Sequence, residues 1–255
     1  MYLCCINPKN AWSWMYRGSV VMLLTHLVEK YPEYVSLALE HPNTYKILDN
    51  SLIELGGALS MDRLIAAADC IKADEIILPD VFKNGPATAT EARKSIEWLK
   101  DKGLLGKYKL MAVCHGNNFN EWEQCFNNLK NMPEIDVIGV PKVTSTWLPE
   151  RSRGYLYNYF KDTEKQIHFL GSWYTLKEIT NIGEEVFHKV RSVDTCLPSL
   201  YAIQNKHVWE DRDGTIDLEK AYEELTVEKY DAVLLEYEKE LDKNIINNFK
   251  GVDKQ

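Results

Sequence analysis

The chain has 255 residues, of which 45% are hydrophobic and 27% are charged, and its formal net charge is −8. This length and apolar content suffice for one large core or two small domains, and the low share of glycine and proline excludes a mostly disordered or fibrous chain. The acidic balance argues against a uniformly basic nucleic-acid coat protein but leaves a local basic groove open.

The six cysteines do not follow a pattern typical of a disulfide framework or a structural zinc site. A chain of this length needs no disulfides to stabilise a core, and the sequence contains no Cys-x-x-Cys pair. The first apolar-rich stretch, residues 19–28, is too short to span a bilayer, and no signal-peptide pattern precedes it. We therefore expect a reduced, soluble, cytoplasmic protein without membrane contact.

Short apolar runs alternate with amphipathic segments along the chain. The predicted strands are, in chain order, Met1–Ile6, Tyr45–Leu48, Glu75–Leu78, Lys109–Cys114, Val137–Val140, Gln166–Leu170 and Val190–Val193. The predicted helices are Met61–Ile71, Thr88–Lys102, Asn120–Lys130, Pro149–Phe160 and Leu176–Ile182.

This alternation predicts parallel βαβ units. Six or seven such units favour an α/β fold of the TIM (β/α)8 barrel type, irregular in places, over the alternative of an open doubly wound sheet. No GxGxxG or GxxxxGK[ST] motif follows a strand, so neither a dinucleotide site nor a P-loop is predicted. We assign residues 1–205 to a catalytic barrel. Residues 206–255, with 14 acidic and 8 basic side chains, are assigned to a helical extension packed on its outside.

Aspartates follow three of the predicted strands, at the end where parallel α/β folds place their chemistry. These are Asp49, Asp80 and Asp194. One such Asp is usually a turn or cap residue, but three at one face repel one another and lose hydration unless they have a function. Two carboxylates suit substitution at an anomeric carbon, where one attacks and the other carries a proton. The third can accept hydrogen bonds from a ligand.

Other residues at the strand ends allow two interpretations each. His115 is either a loop histidine or a substrate contact. Gly116, Gly139 and Gly171 either close tight turns or let the backbone approach a flat ligand.

Five segments in a fixed order resemble the tRNA-guanine transglycosylase superfamily. They are Ile47–Gly56, Leu78–Asp80, Val113–Gly116, Leu170–Ser172 and Ser192–Ser199, within a resemblance that covers residues 45–204. The likeness is greatest to the short, mostly phage-encoded relatives that insert 7-deazaguanines into DNA. The resemblance implies a TIM barrel that exchanges a guanine base without ATP.

The resemblance also implies roles for the aspartates. The family's nucleophile is the Asp of an Asp-x-x-Leu-Pro segment, which corresponds to Asp194, and its general acid/base corresponds to Asp49. The Asp that binds the edge of guanine corresponds to Asp80. Ser51, in the same segment as Asp49, is placed with the substrate-binding residues.

The predicted base pocket departs from the family pattern. The family's Gln-Gly pair falls on His115 and Gly116, and its paired glycines fall on the segment that contains Gly139. Gly171 and Trp173 complete the predicted substrate-binding set, Trp173 and its neighbour Tyr174 as stacking residues or, alternatively, as core or rim aromatics.

Phosphates require cations near the mouth of such a pocket. Lys142, Arg151 and Arg153 follow one strand end closely and are the candidates, with scattered surface charge as the alternative.

The greatest departure from the family concerns zinc. The tRNA enzymes carry three cysteines and a histidine for zinc after the nucleophile segment, whereas no cysteine follows Cys196 here. We therefore expect no zinc or other cofactor, and DNA rather than tRNA as the partner, together with a free 7-deazaguanine base. The sequence is also compatible with a homodimer.

Several other functions remain open at this point. A hydrolytic N-glycosidase needs the same carboxylate pair as a transferase. Base exchange on tRNA and an inert binding paralogue are further alternatives, although both proposed catalytic aspartates are present. A glycoside hydrolase with paired carboxylates is less attractive because no Glu follows a predicted strand.

Overall fold

The computed structural model describes residues 2–6, 12–172, 189–208, 210, 226–236 and 239. Eight parallel strands form a closed barrel in sequence order, and β1 pairs with both β2 and β8. The strands are β1 (Tyr2–Cys5), β2 (Val20–Leu24), β3 (Tyr45–Asp49), β4 (Glu75–Ile77), β5 (Lys109–Val113), β6 (Val137–Pro141), β7 (Gln166–Leu170) and β8 (Val190–Thr195). The predicted α/β barrel is confirmed.

Helices connect the strands. They are α1 (Trp12–Met15), α2 (Thr25–Lys30), α3 (Pro32–Glu40), α4 (Leu52–Leu55), α5 (Met61–Ile71), α6 (Gly85–Asp101), α7 (Phe119–Lys130), α8 (Tyr157–Lys161) and α9 (Leu197–Gln204). Asn84 and Asn118 cap α6 and α7, because each side chain accepts a hydrogen bond from a backbone N–H of the first turn. None of the described helices is both long and apolar enough to cross a membrane.

The structure differs from the predicted elements in several places. Helices α1–α4 and α9 were not predicted. Strand β2 was missed, because its five residues are all buried and a continuous apolar run has no periodicity that separates strand from helix. Pro149–Phe160, predicted as one helix, consists of two 3₁₀ turns, Pro149–Arg151 and Arg153–Leu156, and the short α8. Glu150 and Arg151 have φ near +50°, which interrupts a right-handed helix.

The other predictions for the C-terminal part lie largely outside the described residues. This holds for the predicted helix Leu176–Ile182 and for most of the extension 206–255, within which residues 227–236 are helical. The boundary between barrel and extension stays a prediction.

Alternating side chains of the strands fill two separate regions. The barrel interior contains Cys4, Val20, Met22, Ile47, Ile77, Met111, Val113 and Val137. The residues between them, such as Val21, Leu48 and Ile138, pack outward against the helices. The side of the interior formed by β7 and β8 is polar, since His168, Ser192 and Asp194 are buried there.

A β-bulge in β8 produces this polar side. Ile167 pairs with Val190, but the next residue of β7, His168, pairs with Ser192, so Arg191 is an extra residue in the register. Val190 packs outward in the helix-facing core, whereas Arg191 and Ser192 both border the amino-terminal mouth of the barrel. The strand then continues with Val193 outward and Asp194 at the site end.

An ion pair crosses the amino-terminal end of the barrel. The Arg191 guanidinium donates to both carboxylate oxygens of Glu75, at 2.6 and 3.0 Å, and Tyr45 Oη donates to the same carboxylate at 2.8 Å. Glu75 is completely buried. Removing the partner of a buried charge strongly destabilises a folded protein. We therefore expect this pair to contribute more to stability than the surface ion pairs do.

We predict that Glu75→Ala lowers the free energy of unfolding by about 3–5 kcal/mol, because the largely buried side chain of Arg191, which is 13% exposed, loses its counter-charge. Urea unfolding at neutral pH measures this loss. Glu91→Ala, which breaks the exposed pair between Glu91 and Lys94, is the control and is expected to cost about 1 kcal/mol or less. Equal losses in the two variants would contradict the prediction.

Candidate active site

A cavity of about 410 Å³ opens at the carboxyl ends of the strands. This volume lies within the range of about 300–1,000 Å³ that is typical of small-molecule sites. Its apolar wall includes Met22, Leu24, Ile77, Val113 and Leu170, and its polar side chains are those of Asp49, Asn50, Glu54, Asp80, His115, Lys142 and Asp194. The structure therefore brings the three predicted aspartates to one pocket, together with His115 and Lys142.

Asp194 is held through one of its carboxylate oxygens. Oδ1 accepts a hydrogen bond from the Gly171 backbone N–H at 2.8 Å and lies 3.1 Å from Nε2 of His168. No described residue forms a hydrogen bond with Oδ2. Because Asp194 is only 8% exposed and lines the cavity, the carboxylate is fixed in orientation while one oxygen remains for a ligand.

Asp49 ends β3 and is partly buried. Its Oδ1 accepts a hydrogen bond from the Ser51 backbone N–H at 2.6 Å. Desolvation by burial raises the pKa of Asp49 to about 8, and the negative charges of Glu54, Asp80 and Asp194 act in the same direction. Asp49 therefore carries a proton at neutral pH, as a general acid must.

Asp80 forms a buried polar cluster with two neighbours. Asn50 Nδ2 donates to Asp80 Oδ1 at 2.8 Å and also to the Leu78 carbonyl at 2.8 Å, which ties the end of β3 to the segment after β4. His115 Nε2 lies 2.7 Å from Asp80 Oδ2. Each oxygen of Asp80 thus holds one contact and retains capacity for a second hydrogen bond.

Ser51 orients Asp49 and does not line the cavity. Its hydroxyl accepts from the His26 backbone N–H at 3.2 Å and contacts His26 Nδ1 at 2.9 Å. Ser51 has φ 62°, a left-handed conformation that is uncommon outside glycine and aims its N–H at the Asp49 carboxylate. The structure therefore gives Ser51 a positioning role in place of the predicted substrate contact.

The predicted glycines differ in what they do. A Cβ at Gly116 would lie 2.4 Å from the Trp122 backbone nitrogen, so this glycine is required by packing, whereas one at Gly139 would lie 2.7 Å from a methyl group of Leu170, a side chain that would have to shift. Gly171 has φ +64° and lines the cavity, and its N–H holds Asp194. Of the three, Gly171 has the closest connection to the site.

The three residues predicted to contact phosphates occupy different environments. Arg153 is completely buried, and its guanidinium donates to the carbonyls of Val140, Leu170 and Gly171 at 2.6–3.1 Å. The prediction for Arg153 is corrected, because a guanidinium enclosed in this way joins the ends of β6 and β7 and does not reach a surface phosphate.

Lys142 lines the cavity, whereas Arg151 is exposed on the following segment and does not line it. Trp173 and Tyr174 lie outside the described residues. Within the described ranges, no group of three or more His, Cys, Asp or Glu side chains is arranged to hold a metal ion.

Residues at or behind the site that were not predicted from the sequence include Glu54 and Phe82, which line the cavity, and also Asn50 and His168. Asn50 directly follows Asp49, so its place at a strand end was the available signal. His168 lies inside a strand where neighbouring positions are apolar, and only the pairing with Ser192 shows that it faces the barrel interior.

Comparison of the chain with protein-family models gives no match, and comparison with the sequences of curated proteins gives no significant match.

We predict that Asp49→Asn stabilises the protein at high pH. The folded carboxyl keeps its proton between about pH 4 and 8 while the unfolded one releases it, so wild-type stability falls as the pH rises through this window. Asn has no proton to release. The expected gain is on the order of 1–4 kcal/mol at pH 8 and much less at pH 5, as measured by urea unfolding.

Glu91→Gln on the exposed face of α6 is the control, with an expected change of about 0.5 kcal/mol or less at either pH. A gain in Asp49→Asn that is the same at pH 5 and pH 8 would contradict an ionisation effect.

Proposed function

We propose that this protein is a guanine transglycosylase that exchanges guanine in DNA for a 7-deazaguanine base through a covalent glycosyl-enzyme intermediate. The observation that carries the proposal is the arrangement of Asp49, Asp80 and Asp194 around one cavity at the carboxyl ends of the barrel strands. The family resemblance implies a catalytic or binding role for the same three residues. DNA as the substrate follows from that resemblance, in which the likeness is greatest to the relatives that act on DNA.

Asp194 is the proposed nucleophile. Its Oδ1 is fixed by Gly171 and His168, so Oδ2 is the oxygen available to attack the anomeric carbon C1′. A nucleophile that is held before the substrate arrives loses little conformational entropy at the reaction step.

Asp49 is the proposed general acid/base. In the first step, Asp194 Oδ2 forms a bond to C1′, the bond from C1′ to guanine breaks, and the departing guanine takes the proton of Asp49. In the second step, the incoming base gives its ring N–H proton to the Asp49 carboxylate and attacks C1′, which releases Asp194. A pKa of about 8 suits a group that must give and take a proton near neutral pH.

Asp80 is the proposed recognition group for the base. A guanine edge presents its N1–H and exocyclic amine, both donors, and a carboxylate only accepts when it is ionised. Asn50 and His115 hold Asp80 in place. Phe82, whose ring is 5.8 Å from that of His115 and about half exposed at the cavity, offers an apolar face for the base.

The decisive experiment uses DNA oligonucleotides that contain guanine, with radiolabelled guanine or a 7-deazaguanine as the incoming base. Wild type is expected to incorporate label and to form a covalent adduct with DNA that survives denaturing electrophoresis. Asp194→Ala and Asp194→Asn are expected to lower exchange by about 10³-fold or more and to form no adduct.

Asp74→Asn is the matched control. Asp74 precedes β4 at the opposite end of the barrel, where it accepts a hydrogen bond from the Lys46 N–H, and its loss is expected to leave exchange within twofold. Release of guanine without incorporation of label identifies a hydrolase. Exchange that persists in Asp194→Ala removes Asp194 from the nucleophile role.

Lys142 provides a second test of the nucleic-acid proposal. We predict that Lys142→Ala weakens DNA binding and lowers the slope of log K against log salt concentration by about 1, because one phosphate contact is lost. Fluorescence anisotropy over a salt series measures the slope. Lys94→Ala on the outer helix α6 is the control, and an equal slope in both variants would contradict the contact.

A further inference from the structure

A chain of buried hydrogen bonds runs along the β7–β8 side of the barrel and ends at Asp194. His168, which is completely buried, lies at its centre: Nδ1 is 2.7 Å from Ser192 Oγ, and Nε2 is 3.1 Å from Asp194 Oδ1. Ser192 Oγ in turn accepts a hydrogen bond from Arg191 Nε at 3.1 Å. The imidazole is thus held between two successive inward residues of the neighbouring strand.

In this chain of hydrogen bonds, each donor points along the path from Arg191 toward Asp194. The Asp194 carboxylate can only accept, so the Nε2 that faces it carries a hydrogen, and in the neutral imidazole Nδ1 accepts the hydroxyl hydrogen of Ser192, whose oxygen accepts from Arg191 Nε. Nδ1 then accepts, and the ring hydrogen lies on Nε2, where it donates to Asp194 Oδ1. Hydrogen bonds aligned in this way polarise one another, particularly in a buried site.

Arg191, at the far end of this chain of hydrogen bonds, is also fixed in place. Arg191 is bound to both oxygens of the buried Glu75 on the opposite wall of the barrel. Rotation of Ser192 or His168 would leave buried polar groups without partners, which is unfavourable. The orientation of the imidazole is therefore determined from the amino-terminal end of the barrel, away from the cavity.

We propose that His168 is a positioning residue for Asp194, oriented by Ser192 and Arg191, which holds Oδ1 so that Oδ2 is directed to the reacting carbon. This inference rests on the proposed function for the role of Asp194 as nucleophile. His168 itself does not line the cavity. Its loss is expected to reduce the rate of the chemical step without altering the recognition of the base.

The test compares His168→Asn with His168→Gln. The amide nitrogen of Gln lies near the position of Nε2 and keeps a donor to Asp194, whereas Asn is too short to reach it. We expect His168→Asn to lower kcat by about 10- to 100-fold with KM within twofold. His168→Gln is expected to restore most of the rate. Urea unfolding establishes that each variant is folded.

Ser192→Ala tests the orienting step. It is expected to lower kcat by about 3- to 10-fold, because the imidazole loses the partner of Nδ1. Ser95→Ala removes an equally buried hydroxyl from α6 and serves as the control, with kcat expected within twofold of wild type. A folded His168→Asn variant that keeps kcat within twofold, or equal rates in the Asn and Gln variants, overturns the proposal.

Nitrogen NMR of the histidine rings separates this inference from the proposed function. Wild type is expected to show the His168 proton on Nε2 in slow exchange, and Asp194→Ala and Ser192→Ala are expected to speed its exchange. If wild type exchanges no base, the proposed function fails, and this measurement still supports or overturns the hydrogen-bond chain. A proton found on Nδ1 overturns it.

Discussion

Pairing of β8 with β1 closes the sheet, and the site depends on this closure. In an open sheet, strands lie about 4.8 Å apart, so Asp49 on β3 and Asp194 on β8 would be separated by roughly 24 Å. In the closed barrel they line the same cavity. The hydrogen bonds between backbone groups of the first and last strands are therefore what brings the proposed nucleophile and general acid into one reaction volume.

Closure also brings negative charges close together. The structure reduces the resulting repulsion and loss of hydration in a different way for each aspartate. Asp49 retains a proton, because its raised pKa of about 8 lies above neutrality. Asp80 is held by Asn50 and His115, and Asp194 by His168 and the Gly171 N–H. Three carboxyl groups with three different environments can perform three different tasks in one pocket.

The sequence was sufficient to place the aspartates but not their partners. Strand ends are visible as apolar runs that stop at a polar residue, which is why Asp49, Asp80 and Asp194 were found. Arg153 was misjudged, because an arginine in a polar segment has the same pattern whether its guanidinium faces solvent or binds carbonyl groups. The role of His168 depends on a bulge in the pairing of β7 with β8, and no local pattern encodes that register.

The bulge at Arg191 has a consequence for how this barrel tolerates change in chain length. One added residue in a regular strand exchanges inner and outer faces for everything that follows, which here would turn Asp194 toward the helices. At the bulge, Arg191 and Ser192 together oppose a single residue of β7, and the alternation resumes unchanged. The barrel thereby gains a cation at its amino-terminal end while the spacing between Ser192 and Asp194 is preserved, so the added residue connects the base of the barrel to Asp194 without turning that carboxylate away from the cavity.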